Sequence, residues 1–250
     1  MNPTILRTNA TSVYRFLSRL NAALGEGEHL RGKRILDCGA GSPIPPLAIF
    51  AEQGMEAHGI DISGPRLEQS RAFRERSGLA LALAAGDMRQ LPYGNEVFDY
   101  VYEHFSMCHL TKADTAVAVG EMRRVLRPGG SAFLGVVSQE SWPLSSFGEE
   151  RAPGERWSGE AGGERCHSLF EEAEADRLVA DWEVTHKEKI TVVGHPQDLS
   201  EAEWEALHAE APAPCSRESW MARYPERDRL IRYVHTYYYL TKRNSLPGKP

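Results

Sequence analysis

Between Arg34 and Val137 the chain alternates short apolar runs with amphipathic ones across brief connections, and few architectures accept that rhythm. Residues 34–38, 57–61, 79–85, 97–102 and 131–137 read as strands; 47–53, 64–76 and 111–126 read as helices. Glycines mark the stops, at Gly54, at Gly78 and in Pro128-Gly-Gly. Strands separated by helices in this way form a parallel sheet covered on both faces. The expected fold class is therefore α/β, a three-layer sandwich. Two later β-rich segments, 183–193 and 231–242, bring the strand count to seven.

The flanks carry less pattern. Val13, Phe16, Leu17, Leu20 and Leu24 fall at helical spacing, so residues 1–30 read as a helical cap over a core spanning 31–137. Residues 138–168 mix glycine, proline and charge with a few aromatics, including Trp142, Phe147 and Trp157, and read as a mobile, lid-like loop. In the remainder, 169–250, a helix over 169–181 and the last two strands frame a helical insertion at 194–229 rich in Pro, Glu and Trp. A single domain over 1–250 is the expectation.

Charge and cysteine usage narrow the function classes. Twenty-nine Lys and Arg stand against 35 Asp and Glu, a net charge of −6, which argues against sequence-independent binding to nucleic acid. No apolar run approaches the roughly 20 residues of a membrane span, and 1–15 lacks an apolar leader core, so a cytoplasmic protein is expected. The four cysteines lie far apart without a CxxC pair, which reads as reduced thiols. Two Cys-His dipeptides, Cys108-His109 and Cys166-His167, are the sole hint of a metal, and none is expected.

In an open α/β sheet, ligands bind beyond the carboxyl ends of the strands, beside the first strand. Four features fall there. Asp37-Cys38-Gly39-Ala40-Gly41 follows the first strand, its small residues letting backbone amides approach a ligand. Asp61 ends the second, where a carboxylate accepts both hydroxyls of a ribose. Gly86-Asp87-Met88 ends the third and suits an adenine amino group and ring face. Glu103-His104-Phe105 ends the fourth, towards a reacting centre. A nicotinamide-binding protein is a rival reading, but its GxGxxG pattern fails at Ile44, and an apolar residue normally stands where Asp37 does. An acid two residues before the first glycine can hold the loop's amides and lie near an ammonium. Each residue also has a plainer role: Asp87 as a turn or cap residue, His104 and His109 as ordinary partly buried histidines.

Taken in order, Ile35-Leu-Asp-Cys-Gly-Ala-Gly41, Gly59-Ile-Asp61, Gly86-Asp87, Phe98-Asp-Tyr-Val and Arg124-Val-Leu-Arg-Pro-Gly-Gly130 resemble the class I S-adenosylmethionine-dependent methyltransferases, in particular their small-molecule branch. The resemblance implies a Rossmann-like, seven-stranded, mostly parallel sheet with the last strand antiparallel. It implies S-adenosylmethionine as cofactor, with Asp37, Gly39, Ala40 and Gly41 along its methionine moiety. Asp61 would hold the ribose, Ile62 would lie against the adenine, Asp87 and Met88 would flank the adenine's other side, and Glu103 would sit by the amino-acid end. Pro43 departs from the family, which often has a third glycine there, and with Pro45 and Pro46 it stiffens the loop. The implied reaction is in-line methyl transfer to a small-molecule acceptor, with His104 the candidate general base and His109 its alternative. A non-catalytic protein that binds this cofactor is the other reading.

Overall fold

The computed structural model describes residues 8–142, 144–146, 148–160, 163–194 and 231–243. Strand β1 (Arg34–Cys38) runs between β2 (Glu56–Asp61) and a strand that arrives later in the chain, β4 (Phe98–Glu103), and is parallel to both. Beyond β2 lies β3 (Leu81–Ala85), and beyond β4 lies β5 (Leu126–Val137), again in parallel. The chain therefore winds outward from β1 to β3, returns across β1, and winds outward the other way. The carboxyl ends of β1 and β4 border the resulting switch point.

Two long strands complete the seven. In the order β3-β2-β1-β4-β5-β10-β9, strand β10 (Ile231–Thr241) is antiparallel to β5 and to β9 (Glu183–Gly194), so the last strand in sequence lies inside the sheet rather than at its edge. The stretch Arg127-Pro-Gly-Gly130, read as a turn, belongs to β5, which starts as soon as the preceding helix ends. Residues 195–230 lie outside the described part, and with them most of the expected insertion 194–229 and Cys215.

Helices α1 (Thr8–Ala23), α2 (Leu47–Glu52) and α3 (Gly64–Ser77) cover one face; α4 (Lys112–Val125) and α5 (Glu172–Leu178) cover the other. Val13, Phe16, Leu17 and Leu20 of α1 are buried at i, i+3, i+4 and i+7, the stripe the sequence presents. Phe16 sits at the centre of this layer, its ring 5.8 Å from that of Phe133, 6.3 Å from Tyr102 and 6.3 Å from Phe50. Ser63 caps α3 through the Arg66 amide, and Gly78 closes it at φ +69°; Thr111 caps α4 through the Asp114 amide at 3.1 Å. No helix among the described residues is long and apolar enough to cross a membrane.

The segment 138–168 differs from expectation. In place of a loop, β6 (Glu149–Ala152), β7 (Glu155–Glu160) and β8 (Gly163–Ser168) form a separate antiparallel sheet. Its strands are polar and glycine-bearing, so no alternating apolar pattern announces them. Ion pairs substitute for that pattern: Arg151 on β6 reaches Glu149 and, across the sheet, Glu164 of β8, and its guanidinium lies 5.0 Å from the Trp157 ring. The β6–β7 turn requires Gly154, whose φ is +73° and whose place would bring a Cβ to 2.3 Å from the Leu169 carbonyl. The sheet is docked against the main domain: the Lys112 amide donates to Glu155 at 2.6 Å, the Leu169 amide to the Gly154 carbonyl at 2.8 Å, and the Ser168 hydroxyl to the Leu110 carbonyl.

Phe16, 2% exposed, joins α1 to the sheet through its contacts with Tyr102, Phe133 and Tyr239. Phe16→Ala should cost about 3–5 kcal/mol, as large core truncations do, read as a lower urea midpoint at unchanged m-value. A loss under 1 kcal/mol would show that α1 is not integral to the core.

Candidate functional site

The turn leaving β1 is fixed by its own backbone. The amides of Gly39 and Ala40 both donate to the Ile60 carbonyl, at 2.9 and 2.8 Å. The Gly41 amide donates to Asp61 Oδ2 at 2.9 Å, and the Ser42 amide to the Ser70 hydroxyl at 2.8 Å. Pro45 and Pro46 bring no N–H, and the Leu47 amide at the start of α2 acts on Asp37 to lower its pKa. The glycines therefore do not present free amides to a ligand, as the sequence suggests they would. They permit close approach instead: a Cβ at Gly41 would lie 2.4 Å from Asp61 Oδ2, and one at Gly39 (φ +107°) 1.8 Å from the Ser106 hydroxyl.

Outside this turn lies a cleft of about 430 Å³ over the carboxyl ends of the parallel strands. Gly39, Asp61, Ile62, Asp87 and Met88 all line it, so the structure brings together candidates that lie far apart in sequence. Asp61 spends one bond per oxygen, Oδ1 on the Ser63 amide and Oδ2 on the Gly41 amide, which leaves further acceptor capacity on each. Ile62 is 72% exposed, an unusual state for isoleucine inside a concave site. Asp87 is gripped by Arg89, with contacts of 3.0 and 2.6 Å that hold its carboxyl below the usual range, and Arg89 also reaches Asp114 at 3.0 Å.

Asp37 and Glu103 stand beneath the turn rather than on the cleft wall. Burial drives the Asp37 carboxyl up to about 8, with repulsion from Glu103 and Asp61 adding to it. Burial likewise takes Glu103 to about 7, although the amides of Met107 and Ser106, each 2.8 Å from Oε1, pull the other way. Asp37 Oδ2 and Glu103 Oε2 are buried without a hydrogen-bond partner. The chain leaves Glu103 through Phe105, a non-glycine residue at φ +66°, and this strained turn places Ser106 over Gly39.

The two candidate histidines diverge. His104 is not among the cleft residues: it turns towards α1 and β10, with Nε2 3.1 Å from the Tyr237 hydroxyl and its ring 4.0 Å from that of Phe105. Burial, with repulsion from His235, pushes its pKa down to about 3. His109 does line the cleft, its ring edge-on to His167 at 5.1 Å, and burial brings it to about 3 as well. The two Cys-His dipeptides thus converge. Among the described residues, however, no three His, Cys, Asp or Glu side chains are arranged to hold a metal ion. Arg89, Thr111, Asp114, Glu164 and Arg165 also line the cleft. Arg89 follows β3, Thr111 caps α4 and Asp114 lies in its first turn; Glu164 and Arg165, with Trp157 and Cys166, come from the small sheet, which forms the roof of the cleft.

Residues 36–134 match the methyltransferase domain family. Among curated proteins, the chain is 33% identical over 124 residues to the ubiquinone/menaquinone biosynthesis C-methyltransferase UbiE of Bordetella avium, covering 49% of this chain and 48% of that protein. It is 33% identical over 101 residues to 24-methylenesterol C-methyltransferase 2 of Oryza sativa, covering 40% and 27%. The chain spans about half or less of the length of these curated relatives. Among solved structures, a SAM-dependent methyltransferase of Methanosarcina mazei matches with a TM-score of 0.62 at 15% identity, covering 91% of this chain and 98% of that one. The cyclase SpnF matches at 0.60 and 19%, covering 92% and 80%. These likenesses establish the fold.

The buried histidines have a pH signature. Their folded pKa values, about 3 for His104 and about 4 for His235, lie below the ordinary 6.5, so the unfolded chain binds more protons between those limits. Their contribution to stability is complete above pH 6.5 and is lost as pH falls towards 4. Asp37 and Glu103, raised to about 8 and 7, act oppositely: their contribution is present below pH 4 and fades as pH rises through 7–8. Urea midpoints measured from pH 5 to 8 should show a shallower acid limb in His104→Phe than in the parent. An identical slope would mean that His104 titrates normally.

Proposed function

We propose that this chain, whose residues 36–134 match the methyltransferase domain family, is a class I methyltransferase that binds S-adenosylmethionine in the cleft above β1–β4 and methylates a small-molecule acceptor. The observation that carries the reading is the way the turn after β1 spends its amides. A dinucleotide's pyrophosphate needs free N–H groups at the first turn and helix N-terminus. Here the amides of Gly39, Ala40, Gly41 and Ser42 are all engaged within the protein. What the site offers instead is a set of acceptors and apolar surfaces, which suits a nucleoside bearing an ammonium and no phosphate.

The residues fit that cofactor one by one. Asp61 accepts the ribose hydroxyls with the capacity its two internal bonds leave. Ile62 and Met88 supply apolar faces for the adenine, and this gives the exposed Ile62 a partner. Asp87, held by Arg89, accepts from the adenine amino group. Gly39 lines the cleft beside the methionine moiety, with Ala40 and Gly41 buried in the turn behind it, and Asp37 and Glu103, beneath the turn and each with an orphaned carboxylate oxygen, are the acceptors for the ammonium.

When bound, S-adenosylmethionine supplies an already activated methyl group, so the protein's task is chiefly alignment and exclusion of water, worth roughly 7–11 kcal/mol in favourable cases. Trp157 and the β7–β8 edge roof the cleft and form a wall against which an organic acceptor is held. His109, on the cleft, and not His104, is placed to meet an acceptor's proton. The curated relatives named for sterol and quinone C-methylation support a small organic acceptor.

S-adenosylhomocysteine should bind in calorimetry, and NAD should not. Tighter binding of NAD would overturn the cofactor assignment. Asp61→Ala, checked for folding by circular dichroism, should raise the S-adenosylhomocysteine Kd at least tenfold, since hydrogen bonds to a charged acceptor are worth about 1.5–3 kcal/mol each. An unchanged Kd would reduce Asp61 to a tether for Gly41 and Ser63.

A further inference from the structure

Three carboxylates meet where β1, β2 and β4 end, and among the described residues none of them has a cationic partner. Asp37 is 3% exposed, Glu103 is 0% exposed, and Asp61 closes the group from the cleft side. Among the described residues, no Lys, Arg or His forms an ion pair or hydrogen bond with any of the three; Arg66 on α3 borders Gly41 and remains exposed. The other titratable groups facing Asp37 and Glu103 are Cys38 of β1 and Tyr102 of β4, with Tyr237 of β10 behind Tyr102. Burial pushes all three of these upward, so they stay neutral. The remaining polar neighbours are the amides of Leu47, Ser106, Met107 and Gly135. These amides leave Asp37 Oδ2 and Glu103 Oε2 unpaired at atoms sealed from water. Two desolvated carboxylates without a cation do not both ionise at neutral pH; one keeps its proton.

We propose that the Asp37–Glu103 pair holds a proton in the free protein and gives it up to solvent when the ammonium of the bound cofactor takes its place, so that pH sets the occupancy of the site. This rests on the cofactor reading above. The raised values of Asp37 and Glu103, about 8 and about 7, place the exchange near neutrality. The sign follows from linkage: a group that binds protons more tightly in the free than in the bound state releases them on binding. Affinity then rises with pH up to about 8, by as much as about tenfold per pH unit for one proton. The ammonium N–H groups donate to the oxygens that the carboxyl proton left, and the net charge of the pair with its cation stays at −1.

Calorimetry of S-adenosylhomocysteine at pH 7, in two buffers of different ionisation enthalpy, counts the protons released; titrations from pH 6 to 8 give the affinity slope. 5′-Methylthioadenosine, which lacks the amino-acid end, serves as the control ligand. The expected result is release approaching one proton and tightening with pH for S-adenosylhomocysteine, with neither for the control. Glu103→Gln should diminish the release while leaving the control ligand's Kd unchanged, and Asp37→Asn provides the same reading should that variant fail to fold. Binding of S-adenosylhomocysteine without proton release overturns the proposal and leaves the cofactor reading intact. Equal release by both ligands overturns it too, since the proton then comes from elsewhere. Failure of both nucleosides to bind overturns the cofactor reading and the proposal with it.

Discussion

The Ile60 carbonyl accepts the amides of both Gly39 and Ala40, and the Asp61 carboxylate accepts that of Gly41, so the turn out of β1 is pinned to the end of β2. The placement of the other cleft residues depends on this contact. It holds Asp61 at the cleft with acceptor capacity to spare, and it starts α2 where the Leu47 amide meets Asp37. It also flattens the surface at Gly39 enough for Ser106 to rest on it. A side chain at Gly41 would collide with the carboxylate that fixes the turn, so here glycine answers a need for space as much as for conformation.

Stability alone would not retain Asp37 and Glu103. Like charges buried together raise the free energy of the folded chain unless one of them is neutralised, and an apolar pair of similar volume would usually be more stable. The strained φ of Phe105 adds a smaller local cost beside them, of the order of 1–3 kcal/mol. Both liabilities sit at one end of the sheet, next to the switch point, while the two cores on either face are conventionally apolar. This segregation is what a ligand site on a rigid scaffold requires: frustration confined to where a ligand can relieve it.

The parts of the fold legible in the sequence are those where the hydrophobic period and the punctuation agree. β1 starts and ends where Arg34 and Cys38 suggest, and α3 covers Gly64–Ser77 against the expected 64–76, closed by Gly78. The ends of the parallel strands, and thus Asp61, Ile62, Asp87 and Met88, follow directly. The small sheet was not legible, because β6–β8 are held by Arg151 ion pairs and by docking onto Leu110 and Lys112, and neither leaves a periodic trace. The divergence of His104 and His109 was also hidden. Both follow β4 within a few residues, but the turn at Phe105 sends one towards β10 and the other into the cleft, a matter of backbone dihedral that residue type does not reveal.

The same sheet is shared by proteins named as methyltransferases and by one named as a cyclase, so the scaffold fixes where a ligand sits and leaves the reaction to what covers it. In this chain the cover is bonded to the Asp87 side of the cleft. Asp87 is clamped by Arg89, Arg89 reaches Asp114 in the first turn of α4, and the adjoining Lys112 amide holds Glu155 of the roof. A lid on a mobile loop would have to pay the entropy of ordering at each binding event. A sheet docked through α4 meets that cost on folding, and its β7–β8 edge stands over the cleft. On the proposed methyl-transfer reading, acceptor selection would rest on the shape presented by Trp157, Arg165 and Cys166.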